Sequence, residues 1–195
     1  MKTLETVVRL APVVLVAALT GCLSSVRVPD VSCWSLEYAG GNQPSHSSEP
    51  RFGVARVTQV VVRAPYGVKG LAVLRANGTV AFDPYNEYAA LPAALMKGVV
   101  EDALAASGLF SAVVGATSAA GTSVHAEVTV SRLALDCRAE GSRRAVAELD
   151  VCIVDGRNIV ARAKGAGDAD AADGRYGAAL SRAVSDALAE AFNRL

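Results

Sequence analysis

Histidine is nearly missing from this chain: His46 and His125 are the only two in 195 residues. A nucleophilic enzyme needs a base beside its nucleophile and a third group to orient that base. His46 lies in a Gly/Ser/Pro-rich stretch, and His125 falls at the start of an expected strand, where it reads as a surface or edge histidine. No GxSxG elbow occurs. Gly165-Ala166-Gly167 does not lead into a helix with GK[ST], so there is no phosphate loop. CxxC and HxxH spacings are absent too, which argues against a zinc site. Asp168, Asp170 and Asp173 lack the spacing and terminal Glu of an EF-hand and read as a solvated loop, with a weak cation site as the alternative. Glu101 and Asp102 read as the solvated side of a helix. The expectation is a protein that is not an enzyme and uses no cofactor or metal.

Charge of one sign is lacking as well. The 19 basic residues are matched by 19 acidic ones, so no basic field exists to attract nucleic acid. Aromatic residues make up only 5% of the chain, yet 52% is hydrophobic, much of it Ala and Val. That composition folds around a core.

No apolar run is long enough to span a bilayer, which takes about 20 residues. Leu10 to Leu19 is a shorter run, preceded by Lys2, Glu5 and Arg9 and followed by small residues. That order is a secretory signal peptide. Its end, Leu19-Thr20-Gly21-Cys22, resembles the lipobox of bacterial lipoproteins. The resemblance implies cleavage before Cys22 and acylation of its thiol by palmitate-type chains. The alternative is an ordinary signal peptide with a chance Cys at the cut. One acyl chain alone holds a protein only reversibly, at about 0.8 kcal/mol per buried methylene; the multiple chains of such lipoproteins would keep it on its membrane. Leu23 rather than Asp follows Cys22, which in the enterobacterial sorting rule implies the outer membrane, periplasmic face. The expected organisation is a signal peptide over 1–21, a lipidated N-terminus and tether over 22–31, and one domain over 32–195.

Three cysteines remain, Cys33, Cys137 and Cys152, in a compartment that permits disulfides. With Gly141-Ser142 as the turn of a hairpin, Cys137 faces Val146 and Cys152 faces Ser131. The two thiols then lie about six residues apart, roughly 20 Å at 3.3 Å per residue. A bond needs Cα atoms within about 7 Å, so Cys33 is the expected partner of one of them, Cys137 being favoured.

Periodicity gives the elements. Strands are expected at Cys33–Tyr38, Val54–Ala64, Leu71–Arg75, Thr79–Asp83, Phe110–Val114, Val124–Cys137, Arg144–Val154 and Ile159–Lys164. Asn77-Gly78 signals a type I′ hairpin, and Asp155-Gly156 marks another tight turn. Pro92 opens a helix that Ser107-Gly108 closes, and Tyr176 to Leu195 carries one apolar face of a second helix. Residues 165–174 read as a loop. The fold class expected is α+β: a mostly antiparallel sheet with two helices packed on it, in a single domain.

Val73-Leu74-Arg75, Val80-Ala81-Phe82, Tyr85-Asn86-Glu87-Tyr88, Leu91-Pro92 and Ala103-Leu104-Ala105-Ala106-Ser107-Gly108-Leu109-Phe110 follow one another in this order. The segment resembles the ABC-type transport auxiliary lipoprotein family, the group typified by the paraquat-inducible lipoprotein C. Tyr88 stands where that family usually has Trp, and Leu91 where a second Pro is common. The resemblance implies a non-enzymatic periplasmic component of a lipid transport system. Its partners would be an MCE-domain protein and ABC transporter components, with room for a homo-oligomer. A structural outer-membrane assembly lipoprotein, supporting lipopolysaccharide or protein insertion, is the alternative. Arg75, Phe82, Tyr85 and Tyr88 are the expected partner interface, since Tyr and Arg are enriched at hot spots; the alternative is that these rings seal the hairpin against the helix.

Overall fold

Val124–Cys137 (β6) and Arg144–Asp155 (β7) alternate inward Val, Ala, Leu and Ile with outward polar side chains, and the rest of the fold is arranged around this pair. The computed structural model describes residues 30–40 and 49–195. The expected signal peptide, the lipobox-like segment with Cys22, His46 and most of the Gly/Ser/Pro-rich stretch lie outside the described residues. Val31–Leu195 forms one unit. Along it run Ser32–Trp34 (β1), Phe52–Val62 (β2), Gly70–Arg75 (β3), Val80–Tyr88 (β4), helix Pro92–Ala106 (α1), Phe110–Val114 (β5), β6, β7, Asn158–Asp170 (β8) and helix Tyr176–Arg194 (α2).

All eight strands join one sheet. β6 is its hub. On one edge β6 pairs with β7, which pairs with β8. On the other edge it pairs with β2 along its first half and with β3 along its second. β2 and β3 thus line the same edge of β6 end to end, both parallel to it, with residues 63–69 looping out between them. β5 adds to β2, and β4 then β1 add to β3.

The α+β class holds, but the expected mostly antiparallel sheet is wrong. Four of the seven pairings, β1–β4, β2–β5, β2–β6 and β3–β6, are parallel, and three are antiparallel. The antiparallel three are hairpins with tight turns. The parallel ones are made by segments distant in sequence, which local turn signals do not reveal. Further boundaries move as well, β4 running on past the expected Asp83 to Tyr88. The expected first strand shortens to Ser32–Trp34, and β8 runs on through 165–170, which had read as loop.

The turn at Asn77-Gly78 also differs in type. Only Gly78 has positive φ, at 80°. Gly78 N–H donates to Arg75 O at 2.9 Å, and Arg75 N–H donates to Thr79 O at 3.0 Å. That is a three-residue loop in which a turn is followed by a left-handed glycine, not the two-residue type I′ form.

Both helices contribute to one continuous core against the inner face of the sheet. α1 begins at Pro92, whose missing N–H costs nothing in the first turn. It ends where the Ser107 hydroxyl donates to Leu104 O at 2.7 Å and accepts from Leu109 N–H at 3.2 Å, followed by Gly108 at φ 69°. Its face of Met96, Val99, Val100, Ala103 and Leu104 is buried with Ala55, Val57 and Phe110. Full burial of one such side chain contributes about 1.5–3 kcal/mol.

α2 sits on β7 and β8. A Cβ on Gly165 would overlap the carbonyl oxygen of Ala187, and one on Gly167 that of Ala183. Backbone meets backbone here, which only glycine permits. The end of α2 also reaches around the outer edge of β8. Glu190 Oε2 accepts from Ala166 N–H at 2.6 Å, and Arg194 Nη1 donates to Lys164 O at 3.0 Å.

The chain after β1 is strapped to α2 from another side. Ser181 Oγ accepts from Glu37 N–H at 3.1 Å, and Ser185 Oγ accepts from Ala39 N–H at 2.9 Å. Trp34 packs edge-on to Tyr176, ring centroids 5.7 Å apart. A second small cluster, Ala72, Leu74 and Ala134 with Tyr66, lies apart from the main core.

Candidate functional site

The aromatic corner at the β3–β4 hairpin is split by a bulge. Ala72 pairs with Phe82, but Gly70 pairs with Glu87, so β4 carries extra residues around Asp83–Asn86. The Asp83 carboxylate accepts from Tyr85 N–H at 2.8 Å, an Asx turn that bends the strand outward. Phe82 is 46% exposed and Tyr85 51%. Arg75 is exposed at the hairpin end. Exposed Val68 and Leu91 flank the same corner, which is closed by Tyr88 N–H donating to Lys69 O at 2.8 Å.

Tyr88 does not belong to this surface. It is 1% exposed and packed in the main core, and burial pushes its phenol well above the ordinary range. Tyr88 therefore leaves the expected interface; Phe82 and Tyr85 are exposed on β4, while Arg75, at the turn end of β3, alternates to the face opposite Phe82. The extra residues in β4 are odd in number, so they turn Tyr88 to the face opposite Phe82.

The expected Cys33–Cys137 disulfide is absent: Cys33, Cys137 and Cys152 are free thiols. Cys33 is on β1 and Cys137 on β6, with β4 and β3 between them. Three strand spacings of about 4.8 Å alone separate them by roughly 14 Å, and Cys33 is level with Gly70 while Cys137 is level with Arg75, so they lie beyond the reach of a bond. Cys33 Sγ instead donates to Glu87 Oε1 at 3.4 Å, which pushes its thiol up. The hairpin register differs as well. Asp136 faces Arg144 and Cys152 faces Glu127, so Cys137 and Cys152 are about ten residues apart along β6, roughly 33 Å.

His125 is not at an edge. It is half-buried on the central strand, between Arg56 of β2 and Val154 of β7. Its Nδ1 is buried without a hydrogen-bond partner among the described residues. Cys152 lies opposite Glu127, two residues along. Burial first, and the Glu127 charge second, push the Cys152 thiol up, the reverse of what a nucleophilic cysteine needs.

The aspartates of the expected loop are spread along β8 and beyond it. Asp168 pairs with Arg144, Asp170 accepts from Ala172 N–H at 3.1 Å, and Asp173 pairs with Arg175. Among the described residues no three His, Cys, Asp or Glu side chains gather as a metal site.

Sequence reasoning missed a polar cleft of about 450 Å³ on the outer face of the sheet. Thr129 of β6, Asp150 of β7 and Lys164 of β8 form one cross-strand row. Arg63, just past β2, and Arg162 of β8 stand beside it. Asp150 Oδ1 accepts from Arg162 Nε at 3.0 Å and Oδ2 from Nη2 at 2.7 Å. That pair holds the Asp150 carboxyl below the usual range, and Lys164 and Arg63 push it the same way. Glu148 accepts from Arg132 Nη1 at 2.7 Å. The signal available beforehand was the outward series Thr129, Glu148, Asp150, Arg162 and Lys164, but only strand order and register bring it together.

No protein-family model matches the chain. No curated protein matches it in sequence. Solved structures do share its fold. The crystal structure of protein XCC0632 from Xanthomonas campestris, of the family DUF330, matches with a TM-score of 0.68 at 13% identity, covering 84% of this chain and 93% of that one. The crystal structure of an uncharacterized protein matches with a TM-score of 0.55 at 12% identity, covering 82% and 92%. These are similarities of fold. No helix among the described residues is long and apolar enough to cross a membrane.

Proposed function

We propose that the chain is a lipid-anchored protein on the periplasmic face of the outer membrane, acting as a non-enzymatic auxiliary component of an MCE/ABC-type lipid transport system. The observation that carries this reading is the segment from Val73 to Phe110. Its motifs fall on consecutive elements, hairpin β3–β4, helix α1 and the start of β5. The hairpin leaves Phe82 and Tyr85 exposed on β4, and Arg75 exposed at its turn end. Exposed rings and an arginine on a rigid hairpin are the chemistry of an interface anchor. The lipobox-like Leu19-Thr20-Gly21-Cys22 supports the anchor.

Two experiments test this. Palmitate labelling marks the wild type and not Cys22→Ala, which accumulates as precursor or soluble protein; a Cys22→Ala variant that is still labelled ends the lipoprotein reading. Replacing both Phe82 and Tyr85 by Ala reduces co-purification with an MCE-domain partner by tenfold or more, since a hot spot contributes about 2 kcal/mol. The melting temperature should barely move, because both rings are largely exposed. Undiminished capture by the folded double variant removes this corner from the interface.

A further inference from the structure

The outer-face cleft carries a surplus of positive charge. Glu148 is engaged by Arg132, and Glu190 by Arg194 and the Ala166 N–H. That leaves Arg63, Arg162 and Lys164 facing a single further carboxylate, Asp150. Asp150 in turn is occupied by two hydrogen bonds from Arg162, which fix that guanidinium in place. Arg63 and Lys164 donate to no carboxylate among the described residues, and the Thr129 hydroxyl makes no hydrogen bond there. Arg63 follows β2 beside β6, and the other groups stand on β6, β7 and β8, the most extensively paired part of the sheet.

We propose that this cleft binds a phosphomonoester, with Arg63 and Lys164 as its charge-bearing contacts and Arg162 as a fixed donor buttressed by Asp150. A phosphomonoester carries about −1.5 to −2 charges at neutral pH, which matches two surplus cations. Guanidinium groups offer planar paired donors to phosphate oxygens, and an ammonium adds a point charge. A volume of about 450 Å³ leaves room for the organic part of such a molecule, as small-molecule sites of roughly 300–1,000 Å³ do. The phosphate could belong to a free metabolite or to a lipid headgroup. The inference stands on the cleft alone and does not depend on the transport reading.

The test is calorimetric titration of the full chain in neutral detergent. The probes are glycerol 3-phosphate as the free phosphomonoester and dihexanoyl phosphatidic acid as the lipid form, with dihexanoyl phosphatidylcholine as control. Saturable binding of either phosphomonoester, at least about tenfold weaker in the Arg63→Gln/Lys164→Gln variant, supports the site; the loss reflects two charge-assisted hydrogen-bonding groups. Binding should be kept when Arg63→Lys and Lys164→Arg preserve the charge, and should weaken as salt rises. The tighter of the two probes identifies the source of the phosphate. Absence of saturable binding, equal binding of phosphatidylcholine, or binding unchanged in a folded double Gln variant overturns the proposal.

Discussion

The two helices rest on the same sheet in opposite ways. α1 meets β2 and β5 through large side chains: Met96, Val99, Val100 and Leu104 fill space against Ala55, Val57 and Phe110. α2 meets β8 through almost none: Gly165 and Gly167 lie against the backbone of Ala183 and Ala187. The first seat is held by volume and the second by closeness. Removing atoms harms a volume-filled seat, and adding atoms harms a close one.

Gly165→Val breaks the contrast hardest. By strand propensity alone the change should stabilise β8, because Val is favoured in strands and Gly depleted. The side chain would instead enter the space of the Ala187 carbonyl and lift α2 from the sheet. A loss on the order of 5 kcal/mol, at the exceptional end for a single substitution, should appear in urea unfolding. A neutral or stabilising result would show that α2 can shift without cost and that the closeness is incidental.

Leu104→Ala probes the other seat. Leu104 is fully buried, and truncation leaves a cavity at a cost of about 3 kcal/mol. The same unfolding measurement checks it, and a loss under about 1 kcal/mol would mean that the α1 seat collapses freely. Ser185→Ala sharpens the comparison at the smallest scale. It removes the acceptor for Ala39 N–H on the α2 side without changing packing volume much, for a cost of about 1 kcal/mol. Amide exchange should speed at Ala39 while Met96 and Val100 of α1 keep their protection.

The same contrast explains what could be read beforehand. The α1 seat was legible: Pro92, the periodic Leu95 to Leu104 face and the Ser107-Gly108 stop are local features with local causes. β6 and β7 were legible for the same reason, since alternation names the buried face of each strand. The α2 seat was not. Gly165 and Gly167 read as loop because strand propensity counts against glycine, and nothing local announces that a helix backbone will lie there. Parallel pairing escaped for a related reason: alternation tells which way a side chain points, not which strand lies alongside. Tyr88 was misplaced by the bulge at Asp83–Tyr85, which reverses the alternation that Phe82 begins. At the β3–β4 hairpin the residue types of Arg75, Phe82 and Tyr85 were legible, but not which face each lies on. The cleft of Arg63, Asp150, Arg162 and Lys164 was not, because its residues come from the end of β2 and from β7 and β8 and meet only through strand order.

Glu190 and Arg194 have a consequence that reaches beyond the single molecule. A sheet edge is a template for another strand, and β8 is long, almost free of large side chains on its helix-facing side, and open along one edge of its backbone. The last turn of α2 shields that edge at Lys164 and Ala166. Loss of this turn would take Ala191 and Phe192 out of the core and at the same time uncover an adhesive border. The trimmed products would be expected to associate through β8 into oligomers and then aggregates, so the final turn of the helix serves colloidal solubility as well as folding.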